Sequence, residues 1–156
     1  SWEPNARIVL HGVSMGAATV LMASGENLPE NVKAVIADCG YTSEWDEFQR
    51  EADTLHIPWF PVLNATSVLS KVRDGYDFKQ ASALAQVKKS RIPTLFIHGS
   101  SDELVPYSML GELYAAAACE KEELTVEGAG HALSSSVAPT LYWRTVENFI
   151  AKYLDR

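Results

Sequence analysis

Residues 8–16 read Ile8-Val-Leu-His-Gly-Val-Ser-Met-Gly16, a short apolar run that ends in Gly12-x-Ser14-x-Gly16. A strand that turns sharply into a helix around a single serine is a nucleophile elbow, in which a strained turn holds one hydroxyl clear of the backbone. Glycine is expected on either side because a Cβ would clash where the chain doubles back. The pentapeptide alone is weak, since five residues recur by chance. Here Ile8, Val9 and Leu10 precede it, an alanine-rich helical stretch follows, and an aspartate and a histidine come in order downstream.

Working outward, Arg7–His11 reads as a first strand and Met15–Ser24 as a helix with Ala17, Ala18, Leu21 and Met22 apolar and Gly25 as its stop. Val32–Asp38 is a second strand, apolar nearly throughout, as a buried parallel strand should be. Tyr41–Tyr76 breaks the pattern. It carries Trp45, Phe48, Trp59, Phe60 and Tyr76, with Pro58 and Pro61 interrupting any long helix, and reads as one or two helices and a loop inserted between strands. Asp77–Ser90 reads as a helix, Ile92–His98 as a third strand, Tyr107–Ala118 as a helix and Leu124–Glu127 as a short strand. Pro139–Leu154 closes the chain as a helix with Tyr142, Val146, Phe149, Ile150 and Tyr153 on one stripe. Strands alternating with helices predict an α/β fold: a parallel sheet of about four strands flanked by helices.

The 156 residues suffice for one apolar core. A formal net charge of −7 and the lack of a basic cluster argue against a nucleic-acid partner. Lys88-Lys89-Ser90-Arg91 is most simply a solvated helix end. Cys39 and Cys119 sit in separate elements and read as buried thiols, and neither lies on an elbow that would make it a nucleophile. No His-x-x-x-His spacing and no Cys/His cluster appears, so neither a metal nor a cofactor is expected. No run reaches the ~20 apolar residues of a membrane span. The chain opens at Ser1 without a methionine and almost directly into a strand, so the natural start is expected to lie upstream. The compartment, cytoplasmic or N-terminally anchored, is left open with it.

In parallel sheets chemistry collects beyond the carboxyl ends of the strands, and Ser14, Asp102 and His131 each follow a predicted strand at that end. A serine hydroxyl is a poor nucleophile until a base takes its proton, and an acid must fix the tautomer of that base. His131, in Glu127-Gly-Ala-Gly-His131, is the candidate base; Asp102, in His98-Gly-Ser-Ser-Asp102, is the candidate acid. Glu103 and Asp38, the latter ending the second strand, are rival acids. His11, His56 and His98 read as structural or surface residues. Backbone N–H of Met15 is the candidate oxyanion donor.

With these placed, the chain resembles the α/β-hydrolase superfamily, and within it bacterial hydrolases of the prolyl-oligopeptidase-like and serine-aminopeptidase-like group. The supporting strings are His11-Gly-Val-Ser-Met-Gly16, Ala37-Asp-Cys-Gly-Tyr-Thr-Ser43, Ile92-Pro-Thr-Leu-Phe-Ile-His-Gly99 with Asp102, Val105 and Pro106, and Val126-Glu-Gly-Ala-Gly-His131. The resemblance implies a serine hydrolase that cleaves a small acyl ester through an acyl-Ser14 intermediate. It makes residues 41–76 a cap over the acyl pocket, with Tyr41, Trp45, Trp59 and Phe60 as substrate contacts. A peptidase of the same fold, and an inactive fragment or hydrolase-like binding module, are the rivals. Members of the group carry further strands before the elbow, so the chain corresponds to a C-terminal half. Its first strand is then expected to offer an open edge to a second copy or to the missing half.

Overall fold

A computed structural model describes Glu3 and residues 6–154. Its elements in chain order are β1 (Ile8–Val13), α1 (Met15–Ser24), β2 (Val32–Asp38), α2 (Glu44–Thr54), α3 (Trp59–Asp74), α4 (Ala83–Val87), β3 (Thr94–Gly99), α5 (Ser108–Ala116), β4 (Lys121–Val126), α6 (Ser134–Val137) and α7 (Pro139–Leu154). The four strands form one sheet in the order β1-β2-β3-β4, and every pairing is parallel. Spatial order therefore follows chain order, and all four carboxyl ends point the same way.

Alternation along the inner strands divides the core in two. Val35, Ala37 and Phe96 pack under α1, α4 and α5, against Ala17, Leu21, Val87 and Leu113. Ala34, Ile36, Leu95 and Ile97 face the other way and meet Tyr142, Val146, Phe149 and Tyr153 of α7. That helix buries Tyr142, Val146, Phe149 and Tyr153 at steps of four, three and four, the stripe its sequence predicts. The expected fold class is thus the observed one.

Two elements depart from expectation. Residues 77–90 hold only the short α4, because side chains capture the backbone amides that a longer helix would need. Asp77 Oδ1 accepts from Lys79 N at 3.0 Å and starts a turn, and Ser82 caps α4 by accepting from Ala85 N at 3.1 Å. Strand β4 begins at Lys121, earlier than expected, since an outer strand tolerates the charged Lys-Glu-Glu that masks its start. Lys121 Nζ is in fact used, donating to the carbonyls of Tyr114 and Ala117 at the end of α5.

The insert forms two helices, α2 and α3, joined to the body by Thr42, Ser43 and a bridge between Ser43 and Ser82. At the other side of the sheet, β1 pairs with β2 alone among the described residues. Ile8 and Val13 of β1, and Leu141 and Trp143 of α7, remain exposed. No helix among the described residues is long and apolar enough to cross a membrane.

Candidate active site

Ser14 stands between β1 and α1 with φ 56° and ψ −119°, a conformation that a non-glycine residue adopts only under constraint. Its N–H donates to the Asp38 carbonyl at 2.9 Å, which pins the turn to β2. A Cβ on Gly12 would lie 2.1 Å from the Gly16 carbonyl oxygen, so glycine is obligatory there. Gly16 is different: a Cβ at that position meets nothing within 4 Å. The expectation of a clash on both sides of Ser14 therefore holds for Gly12 only, because the Gly16 Cβ would point away from the crossing.

Ser14, His131 and Asp102 form one hydrogen-bonded chain. Asp102 Oδ2 can only accept, so His131 Nδ1 carries the proton and donates to it at 2.9 Å. Nε2 is left to accept from Ser14 Oγ, 2.8 Å away. Asp102 is buried, and its Oδ1 accepts from the amides of Leu104 and Val105 at 3.0 and 2.9 Å. The loops bearing Asp102 and His131 are strapped together: Ser101 N donates to the Ala129 carbonyl at 3.0 Å and Gly128 N to Ser100 Oγ at 2.9 Å. They approach so closely that a Cβ on Gly99 would sit 2.2 Å from the Ala129 oxygen. Cys39 (φ 49°) and Ala132 (φ 57°) share the positive φ of Ser14, so three of the four such non-glycine residues among the described residues crowd around these hydrogen bonds.

The rival acids lie elsewhere. Glu103 is exposed, and Asp38, although buried, faces Ser134 Oγ at 3.0 Å and the Tyr142 hydroxyl. Burial pushes the Asp38 carboxyl above its ordinary 3.8, against the opposing pull of Ser134, Tyr142, His98 and His11. A carboxyl that binds its proton more tightly when folded loses stability as pH rises through that raised value. Asp38→Asn is therefore expected to raise the melting temperature at pH 7 relative to wild type, with the gain vanishing below about pH 3.8, as differential scanning calorimetry would register.

Of the remaining histidines, His56 is exposed and His11 meets the Tyr142 hydroxyl at 3.0 Å. Burial lowers the pKa of His11, which the charge of Asp38 partly offsets. His98 is more than structural filling. It is buried, donates from Nε2 to the Val105 carbonyl at 3.0 Å, and lies 3.3 Å from Asp102 Oδ2. Sequence reasoning missed that contact, though the four-residue step from a strand-ending histidine to Asp102 was a usable signal.

Cys39 Sγ, a His131 ring nitrogen and an Asp102 oxygen lie within 4.8 Å of one another, a trio from three strand ends that no sequence spacing reveals. Burial pushes the Cys39 thiol up to about 12, so it stays protonated, while His131 and Asp102 are committed to each other. The trio is packing around a hydrogen-bonded pair. Cys119 is partly buried and donates to Thr94 Oγ1.

The four aromatic residues expected at an acyl pocket separate. An apolar groove of about 290 Å³ between α2 and α3 is lined by Phe48, Leu55, Ile57, Trp59, Leu63 and Phe78 among others, so Trp59 alone of the four reaches it. Tyr41 is buried against Ala18, Val105 and Met109, Trp45 lies beneath the Lys79 ammonium, and Phe60 is 69% exposed.

A serine elbow at the carboxyl edge of a parallel sheet, with helices on both faces, defines an α/β-hydrolase fold. The chain belongs to the prolyl oligopeptidase family, which matches residues 3–156. It is 32% identical over 151 residues to the uncharacterized protein YqkD of Bacillus subtilis, covering 95% of this chain and 49% of that protein. It is 32% identical over 157 residues to the alpha/beta hydrolase domain-containing protein WAV2 of Arabidopsis thaliana, covering 95% and 48%. The chain thus spans about half the length of these curated relatives. Among solved structures, Pyrococcus horikoshii acylaminoacyl peptidase superposes with a TM-score of 0.72 at 18% identity, over 97% of this chain and 25% of that one. The esterase domain of a Rhodothermus marinus protein does so with 0.62 at 20% identity, over 94% and 60%.

Proposed function

We propose that this chain carries the catalytic centre of a serine hydrolase that cleaves an ester or related acyl bond. The observation that carries the reading is the unbroken chain from Ser14 through His131 to Asp102, set on a strained turn. In this mechanism Ser14 Oγ attacks the acyl carbon while His131 Nε2 takes its proton, and Asp102 holds the ring in the required tautomer and stabilises the imidazolium. His131 then returns the proton to the leaving alkoxide. A water molecule repeats the sequence in reverse and frees Ser14. The oxyanion faces the Met15 N–H at the start of α1, where unpaired amides and the helix dipole favour negative charge.

An uncharged, largely apolar acyl group is the favoured substrate of this reading; the groove between α2 and α3, whose lining includes no residue of the Ser14–His131–Asp102 chain, offers apolar walls and no charge. The two helices then act as the cap of a single hydrolase domain, with Trp59 as the aromatic contact. A peptidase is the second reading, supported by the family match and the likeness to an acylaminoacyl peptidase. A binding module without turnover is the third.

Incubation with a fluorophosphonate probe separates the first two from the third: labelling of this chain is expected, its absence here with labelling of a longer form of the protein marks an inactive fragment, and its absence in both counts for the binding module. Short p-nitrophenyl esters are expected to turn over faster than aminoacyl-p-nitroanilides, and the reverse order would favour the peptidase. Slow turnover that rises about 10²–10³-fold in a longer form of the protein would place a second oxyanion donor outside this chain. The open edge of β1 is the surface through which another strand, from a second copy or from elsewhere in a longer protein, completes the sheet.

A further inference from the structure

Asp38 touches neither His131 nor the reacting hydroxyl, yet it is bonded to both halves of the site. Its carbonyl accepts the Ser14 N–H at 2.9 Å, and its Oδ1 accepts the Ser134 hydroxyl at 3.0 Å. Ser134 is fully buried, opens α6 and lies three residues after His131. The Tyr142 hydroxyl of α7 also faces the same carboxylate. One residue at the end of β2 thus holds the nucleophile turn by its backbone and the histidine loop by its side chain.

We propose that Asp38 is a positioning residue that sets the distance between Ser14 and His131 through Ser134; the proposal rests on the hydrolase reading above. The His131 loop needs such an anchor. It runs through Gly128 and Ala132, both at positive φ, and carries Gly130 between them. Opposite that loop, the turn at Ser14 is itself under constraint. Burying a carboxylate is costly, and an apolar residue of similar volume would normally make a more stable core. A carboxylate kept 1% exposed at the junction of both loops therefore points to a geometric task.

The test compares Asp38→Ala, Ser134→Ala, the double variant and Asp38→Asn with wild type, well below their melting temperatures. The readouts are the rate of Ser14 labelling by a fluorophosphonate and kcat and KM for p-nitrophenyl acetate. Misplacing a reacting pair by ~1 Å can cost about 10²-fold, so each alanine variant is expected to lose about ten- to a hundredfold in labelling rate and kcat. KM should stay the same, and the double variant should be no slower than the worse single one. Asp38→Asn keeps an oxygen acceptor for Ser134 and should recover most of the loss. Wild-type rates in Ser134→Ala, or additive losses in the double variant, would overturn the proposal. If Asp38→Ala does not fold, Ser134→Ala and Ser134→Gly carry the comparison. If wild type is labelled neither as this chain nor in a longer form of the protein, the hydrolase reading has failed; whenever this chain is not labelled, the tie is judged by the low-field proton resonance of the His131 Nδ1–Asp102 bond. Broadening of that signal in Ser134→Ala supports the tie, and an unchanged signal refutes it.

Discussion

Ser14→Ala is expected to abolish fluorophosphonate labelling and to reduce ester turnover by about 10⁴–10⁶-fold, the scale on which single members of such triads act. His131→Ala should cost nearly as much. In the proposed mechanism the hydroxyl-to-ring and ring-to-carboxylate bonds, 2.8 and 2.9 Å, act only in series, so a broken link is expected to disable the whole proton path. The double variant Ser14→Ala with His131→Ala should therefore be no slower than Ser14→Ala alone. Steady-state kinetics on p-nitrophenyl esters gives the answer. Additive losses would mean that the two side chains contribute separately, contrary to the geometry. Asp102→Asn belongs to the same series, because an amide that donates to Nδ1 would force the proton onto Nε2 and block acceptance from Ser14.

Gly12→Ala is expected to be the most damaging change to the fold itself. The added carbon would lie 2.1 Å from the Gly16 oxygen and 2.6 Å from the Ala17 nitrogen, both backbone atoms that no rotamer change can move. Relief requires parting β1 from α1, whose packing includes the fully buried Ala17, Ala18 and Leu21. A cost above ~3 kcal/mol is reasonable for such overpacking, equivalent to a fall of about 10 °C in melting temperature for a chain of this size. Gly16→Ala is the control. With open space at its Cβ and a place in the first turn of α1, it should be neutral or stabilising by ~0.5–1 kcal/mol through helix propensity. Equal damage from both substitutions, by calorimetry, would show that the crossing is not the source of the constraint.

What was legible in the sequence was what is local. The run from Ile8 to Gly16 contains strand, turn and helix start in consecutive residues, and the stripe on α7 repeats within sixteen residues. Asp102 and His131 could be named as candidates because each follows its own strand closely. Residues 77–90 misled because their alanines and leucine suggest a helix, while Asp77 and Ser82 divert its amides. The start of β4 was hidden by charges that only an edge position permits. Least legible was the role of Asp38, whose partner Ser134 is 96 residues away. No periodicity connects residues so far apart. Cys39 belongs with it, since its proximity to Asp102 arises only when β2 and β3 lie side by side.

Spatial order in the sheet follows chain order, and this makes the site a gauge of the whole molecule. Ser14 leaves the first strand and His131 the fourth, on opposite flanks. At about 4.8 Å per strand the two supports stand ~14 Å apart, yet the side chains meet at 2.8 Å. That contact closes a span to which every intervening strand adds its own width and twist. A core substitution under β2 or β3 that tilts one strand is expected to alter the gap between hydroxyl and imidazole. The bond between Ser14 and His131 is in this sense a caliper across the sheet, and under the proposed function the rate of serine labelling would read out the alignment of core residues far from it.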